Sequence, residues 1–153
     1  MLKEGDKAPN VTLDLPDGSK TSVAGEAGKI LVLYFYPKDD TPGCTTEAQG
    51  FTALADDFAR AGATIIGVSK DSAARHQKFI DKYGLKLRLA SDSDGSVCEA
   101  FGTWIEKSLY GRQYMGIDRA TFLIGKDGTI ARIWRKVKVK GHAEEVLAAA
   151  KAL

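Results

Sequence analysis

Apolar runs of strand length, each bounded by turn residues, recur along this chain. Leu31-Val32-Leu33-Tyr34-Phe35-Tyr36 is apolar without alternation. Within Ile30 to Tyr36 it reads as a buried strand that stops at Pro37. Ala63 to Val68 has the same character. Ala120 to Ile124 and Thr129 to Trp134 flank Lys126-Asp127-Gly128 and read as two strands around a tight turn. Near the start, Val11-Thr12-Leu13-Asp14-Leu15 alternates, Pro16-Asp17-Gly18 is turn chemistry, and Ser19 to Val23 returns. That pattern predicts a small hairpin.

Between these runs the period becomes helical. Ala48, Phe51, Leu54, Ala55 and Phe58 predict a helix from Cys44 to about Ala61, ending near Gly62. Ser69 to Ser72 offers N-caps for a helix from about Ala73 to Tyr83, stopped by Gly84. Leu85 to Ala90 is a weak strand, Asp92 to Gly95 a turn, and Ser96 to Phe101 a short helix. Ala143, Val146, Leu147, Ala150 and Leu153 form one face of a C-terminal helix. Thr103 to Asp118 reads as a long irregular segment, rich in glycine and aromatics, and such loops are often functional. Strands alternate with helices at the centre and hairpins lie at both ends, which predicts an α/β sheet of mixed direction flanked by helices. At 153 residues the chain fits one domain, 1–153, with its own core. The pattern alone does not separate a thioredoxin-like sheet from a flavodoxin-like one.

Cys44 falls where the loop after the central strand becomes a helix. Pro37, Pro42 and Gly43 hold that loop irregular. The backbone N–H groups at a helix start lack intrahelical partners, and with the helix dipole they favour an anion. A thiol placed there ionises more readily, and the thiolate is the nucleophile. A free cysteine is more commonly a buried small hydrophobe. Here, however, Cys44 sits between Gly43 and Thr45 and follows the end of a buried strand, where sites of α/β sheets collect.

Pro37-Lys38-Asp39-Asp40-Thr41-Pro42-Gly43-Cys44 matches the P-x-x-x-T-x-x-C pattern of the peroxiredoxins. The longer string FYPKDDTPGCTTEA resembles the bacterioferritin comigratory protein (PrxQ) subfamily. Trp104-Ile105-Glu106-Lys107-Ser108-Leu109-Tyr110-Gly111, followed by Tyr114 to Arg119, resembles that subfamily's approach to its active-site arginine. The resemblance implies a thioredoxin-like fold with an N-terminal β-hairpin extension. It also implies a thiol-dependent peroxidase acting on hydrogen peroxide and organic hydroperoxides, with no organic cofactor.

Peroxide reduction by a thiolate requires an ionised sulfur, a group that holds the peroxide, and a cation for the charge that develops on the leaving oxygen. Cys44 supplies the sulfur. The resemblance assigns Thr41 to orient the sulfur or the peroxide, Pro37 to shield the thiolate from water, and Arg119 to provide the fixed charge. Guanidinium stays protonated and can donate to two oxygens at once. Glu47 is expected near the helix start, where a carboxylate favours the dipole. Trp104, Tyr110 and Tyr114 are expected to line or cover the pocket, with core packing as the alternative. His76 reads as part of a polar helical stretch and His142 as near a helix start. The two histidines and two cysteines show no metal-ligand spacing.

The sulfenic acid formed on Cys44 must condense with a second thiol. Many relatives in the resembled subfamily carry that thiol five residues later, where this chain has Gln49. The remaining thiol, Cys98, lies between apolar Val97 and Phe101 and reads as a buried structural residue; a resolving role is the alternative. The expected cycle is therefore one-cysteine, reset by thioredoxin, glutaredoxin or glutathione. Other readings are a thiol–disulfide oxidoreductase, for which Thr41 occupies the first slot of C-x-x-C, and a redox sensor.

Composition narrows the partners. Charge is nearly balanced, 22 basic against 20 acidic residues, which argues against a nucleic-acid ligand. Arg132, Arg135, Lys136, Lys138 and Lys140 read as a solvated strand edge. The N-terminal MLKEGDKAPN has no apolar signal region and no stretch reaches membrane-spanning length. The expected location is a reducing cytoplasm, and the absence of a long apolar seam leads to the expectation of a monomer.

Overall fold

Every residue of Ile30–Phe35 is buried, because this strand lies in the middle of the sheet with cores on both faces. In the computed structural model, which describes residues 1–153, the strands are β1 (Thr12–Asp14), β2 (Lys20–Ser22), β3 (Ile30–Phe35), β4 (Ala63–Ser69), β5 (Arg88–Ser91), β6 (Trp104–Leu109), β7 (Arg112–Ile117), β8 (Ala120–Ile124) and β9 (Ile130–Trp134). The helices are α1 (Pro42–Ala53), α2 (Ala55–Arg60), α3 (Ala73–Tyr83), α4 (Ser96–Ala100) and α5 (His142–Lys151). The main sheet has the order β2-β1-β5-β4-β3-β8-β9. β3, β4 and β5 are parallel, joined by crossovers through α1–α2 and α3; the outer pairings are antiparallel. The expected N-terminal hairpin is β1–β2, and the basic run begins on the edge strand β9.

Strand periodicity sorts the core into two layers. Ile30, Val32 and Tyr34, continued by Tyr36, pack with Cys44, Ala48 and Phe51 of α1, Phe58 of α2 and Val146 of α5. Leu31, Leu33 and Phe35 pack on the opposite side with Ile66, Val68, Cys98, Phe101 and Phe122. The two cysteines thus belong to different layers. In the first layer Tyr34 lies beside Gly67 of the neighbouring strand. A Cβ at that position would stand 2.6 Å from Tyr34 Cζ, so glycine is required for the ring to pack there.

Two segments differ from the expected pattern. The helix through Phe58 begins at Pro42, two positions earlier than expected, and breaks at Leu54 (φ −104°), whose N–H turns back to Phe51. The segment Thr103 to Asp118 is not irregular. It forms the two-stranded hairpin β6–β7, with Tyr110 (φ 51°) and Gly111 (φ 77°) making the turn. Positive φ at both central positions is the type I′ geometry that suits hairpins, but tyrosine is an unusual first residue for it. Leu109, Tyr110, Tyr114 and Met115 of this hairpin are exposed.

Candidate functional site

Cys44 is the third residue of α1, behind Thr41 at the N-cap and Pro42 at the first helical position. Proline suits that place because its missing N–H has no partner to lose. The first helical bond runs from Thr45 N to Thr41 O at 2.8 Å, which leaves the Gly43 and Cys44 N–H groups without helical partners. Cys44 is only 2% exposed.

Arg119 reaches the sulfur from the residue before β8. Its Nη2 donates to Cys44 Sγ at 3.3 Å and its Nη1 donates to Glu47 Oε1 at 2.7 Å. Gly43 leaves room for this: a Cβ there would be 3.2 Å from Arg119 Nη2. The backbone carbonyl of Arg119 accepts from Val137 N at 2.9 Å, which fixes the base of the side chain.

Glu47 does not play the expected capping role. It lies beyond the first turn of α1, is 3% exposed, and spends its carboxylate on Arg119; Oε2 has no partner. Burial pushes the Glu47 carboxyl up to about 7, against the opposing pull of Arg119. Burial also works against the Arg119 charge, but Glu47 and Cys44 facing it outweigh burial and raise it.

The other residues singled out in the sequence lie at varied distances from this centre. The Thr41 hydroxyl donates to Lys38 O at 2.8 Å, and its oxygen keeps lone pairs for a donor. Pro37 is exposed at the start of the loop. Trp104 is partly buried against the Cys98 layer, with Lys70 Nζ 4.4 Å from its ring centroid. Tyr110, at the hairpin tip, is 96% exposed and lines nothing. Lys107 of β6 has its ammonium pushed down by burial and feels the charges of Asp118, Arg119 and Cys44. Gln49 is exposed on α1. Cys98 is fully buried in α4; burial, then Asp92, pushes its thiol up to about 12.

Both histidines are buried, contrary to the polar setting expected for His76. His76 lies against Asp39 and Ala90, and His142 Nε2 is 2.8 Å from Thr121 Oγ1. Burial pushes the His142 imidazole down. No local signal marks either position: the burial of His76 depends on β5 and on the loop after β3, both distant in sequence.

A cysteine at an open helix end with a guanidinium on its sulfur is built to attack an electrophile that leaves as an anion. On a mixed sheet of this topology, that arrangement suits a thioredoxin-like thiol peroxidase. The AhpC/TSA family model matches residues 4–133. The peroxiredoxin Bcp of Xanthomonas campestris is 51% identical over 148 residues, covering 94% of this chain and 92% of that protein. The PrxQ structure from Xylella fastidiosa, a cysteine-to-serine mutant, superposes with a TM-score of 0.93 at 43% identity, covering 99% of this chain and 97% of that one. A ligand-complex structure concerned with the alkyl peroxide reduction activity of Xanthomonas campestris bacterioferritin comigratory protein gives 0.88 at 50% identity, covering 93% and 90%. The chain belongs to the AhpC/TSA family, and within it to the peroxiredoxins. It is a thiol-dependent peroxidase of thioredoxin-like fold, and no helix is long and apolar enough to cross a membrane.

Proposed function

We propose that Cys44 is the peroxidatic thiolate and that Arg119, Thr41 and Pro37 complete its site. The sulfur attacks one peroxide oxygen in line with the O–O bond. That bond breaks, its electron pair leaves on the second oxygen as alkoxide or hydroxide, and Cys44 becomes a sulfenic acid. Arg119 Nη2 stabilises the charge on the departing oxygen, which then takes a proton from solvent. Thr41 Oγ1, already donating to Lys38 O, accepts from a hydroperoxide O–H and so orients it. Pro37 limits water at the loop. The observation that carries this reading is the 3.3 Å contact between Arg119 Nη2 and Cys44 Sγ.

An external thiol resets the site. Its sulfur displaces water from the sulfenic acid to form a mixed disulfide, and a second thiol releases Cys44. The exposed Gln49 and the placement of Cys98 in the opposite core layer support this one-cysteine cycle. Thioredoxin, glutaredoxin and glutathione are the reductants to compare. The chain acts as one domain, 1–153, and as a monomer in a reducing cytoplasm; sedimentation at micromolar concentration tests the monomer. Alkyl hydroperoxides are substrates alongside hydrogen peroxide, in keeping with the alkyl peroxide reduction activity named for the Xanthomonas relative.

The test is peroxide consumption with each reductant for wild type, Cys44→Ser and Cys98→Ser. Loss only in Cys44→Ser supports the one-cysteine cycle. Loss in both variants, with Cys98→Ser still folded, assigns resolution to Cys98. Absence of peroxide oxidation of wild-type Cys44 in a single turnover rejects the reading.

A further inference from the structure

Asp39, at the turn between β3 and α1, is only 3% exposed although it carries a carboxyl group, and His76 of α3 has no exposure at all. They meet: His76 Nδ1 lies 2.7 Å from Asp39 Oδ2. The far side of the imidazole faces β5, with Nε2 3.0 Å from Ala90 O. Tyr36, the residue after β3, donates its hydroxyl to Asp39 Oδ1 at 2.5 Å. None of these groups takes part in the peroxide chemistry derived above.

Hydrogen-bond arithmetic fixes the protons in this cluster. The Ala90 carbonyl only accepts, so Nε2 carries a hydrogen. The short contact between Nδ1 and Oδ2 then requires a second proton between them. The buried phenol of Tyr36, pushed far up by burial, stays a donor. Asp39 and His76 therefore share one proton, and the pair is neutral as a unit.

The same turn is tied down on its outer side. Asp39 N donates to Asp71 Oδ2 at 2.9 Å, and Asp71 is itself held by Ser69 Oγ at 2.6 Å and Arg75 Nε at 3.1 Å. Asp40, at φ 59° in the left-handed region, accepts from Lys82 Nζ at 2.8 Å and Tyr83 Oη at 2.6 Å. The two residues that precede Thr41 are thus both anchored by α3 or the turn before it. The titratable and charged groups around the Asp39–His76 pair are Tyr34 and Tyr36 of the β3 side, Asp40, Asp71, and Arg75, Lys78 and Lys82 of α3; β5 contributes the Ala90 carbonyl. Asp39, Asp71 and His76 place donor atoms within 4.8 Å of one another, but each is already engaged in hydrogen bonds, so the trio is a clasp and not a vacant metal site.

We propose that Asp39 and His76 are positioning residues for Cys44: their shared-proton pair locks α3 onto the loop that presents Thr41 and the start of α1. This rests on the reading of Cys44 as the peroxidatic residue. Neither residue touches the sulfur; their effect is on the loop conformation that sets the Thr41 N-cap and the depth of Cys44.

The experiment follows single-turnover oxidation of Cys44 by hydrogen peroxide at neutral pH, by mass spectrometry, in wild type, Asp39→Ala and Asp39→Asn. In parallel, alkylation of Cys44 by iodoacetamide reports on its burial without peroxide chemistry. Asp39→Ala is expected to slow oxidation roughly tenfold to a hundredfold, as misplacement of a reacting group does, and to change the alkylation rate. Asp39→Asn is the rescue. Its amide donates its own N–H to Nδ1 and accepts from Tyr36, so the neutral-pH rate returns towards wild type. Wild-type rates and alkylation in Asp39→Ala overturn the proposal, and a tenfold or greater loss in Asp39→Asn overturns it even where Asp39→Ala fails to fold. Failure of wild-type Cys44 to oxidise rejects the peroxidase reading instead, and alkylation still reports on the clasp.

Discussion

Arg119 holds Cys44 and Glu47 with two different nitrogens of one guanidinium, Nη2 on the sulfur at 3.3 Å and Nη1 on the carboxylate at 2.7 Å. The carboxylate fixes the orientation of the fork, and the fork places a permanent charge beside the sulfur, where the proposed reaction releases its oxyanion. Arg119→Met removes the charge while keeping an unbranched apolar stem. The expected result is a loss of about a hundredfold to a thousandfold in the rate of Cys44 oxidation, the range for deleting a preorganised donor. Stopped-flow measurement with hydrogen peroxide checks it, and an unchanged rate removes Arg119 from the mechanism.

Glu47 gives the protein a pH-dependent stability. Its ordinary value of 4.5 describes the unfolded chain, and burial raises it to about 7 in the fold. Between these values the folded state binds more protons than the unfolded state, so stability falls as pH rises through that window. The loss is on the order of 3 kcal/mol if the group is wholly responsible. Urea midpoints for wild type are expected to be lower at about pH 8 than at about pH 5, and Glu47→Gln is expected to flatten the difference. The same slope in the variant assigns the titration to another group.

Cys98 is a packing residue in this structure, fully buried with Leu13, Leu33 and Phe101 in the same layer. Cys98→Ala is expected to cost roughly 1–2 kcal/mol of stability, as deleting a small buried group does, and to leave Cys44 oxidation at the wild-type rate. Native alkylation of Cys98 near neutral pH is expected to be slow, since burial and Asp92 hold its thiol up to about 12. A Cys44–Cys98 disulfide after one equivalent of peroxide defeats this assignment.

Gly67→Ala tests the packing beneath the site. The added methyl would meet Tyr34 Cζ at 2.6 Å, and the ring has little room to retreat because it is fully buried between Tyr36 and Phe51. Overpacking of this kind is expected to cost about 1–3 kcal/mol, read from the urea midpoint. A neutral substitution means that the layer relaxes around the methyl.

Much of the fold is legible in short stretches of sequence, because β3, β4 and β8 are buried on both faces and read as unbroken apolar runs. Gly84 and Ser72 mark the ends of α3 for equally local reasons: Gly84 takes φ 59° and the Ser72 hydroxyl accepts from Arg75 N. The β6–β7 hairpin escaped because most of its residues are at least partly exposed and its turn begins on a tyrosine. The site divides in the same way. Local chemistry points to Cys44 at a helix start, whereas Arg119 stands 75 residues away and entered only through resemblance. Glu47 looked like a dipole residue because its partner lies across the fold. His76 looked polar because the strand and loop that bury it are elsewhere in the chain.

The separation of Cys44 and Cys98 into opposite core layers also has a kinetic meaning. Under the proposed one-cysteine cycle, with no second thiol on its own side of the sheet, the sulfenic acid of Cys44 waits for a thiol from another molecule. Each turnover of that cycle then contains an encounter with an oxidant and encounters with two thiols. The lifetime of the sulfenic acid is set by how often the first of those thiols arrives. At steady state, the fraction of chains waiting as sulfenic acid measures the flux of peroxide against the supply of thiol around them.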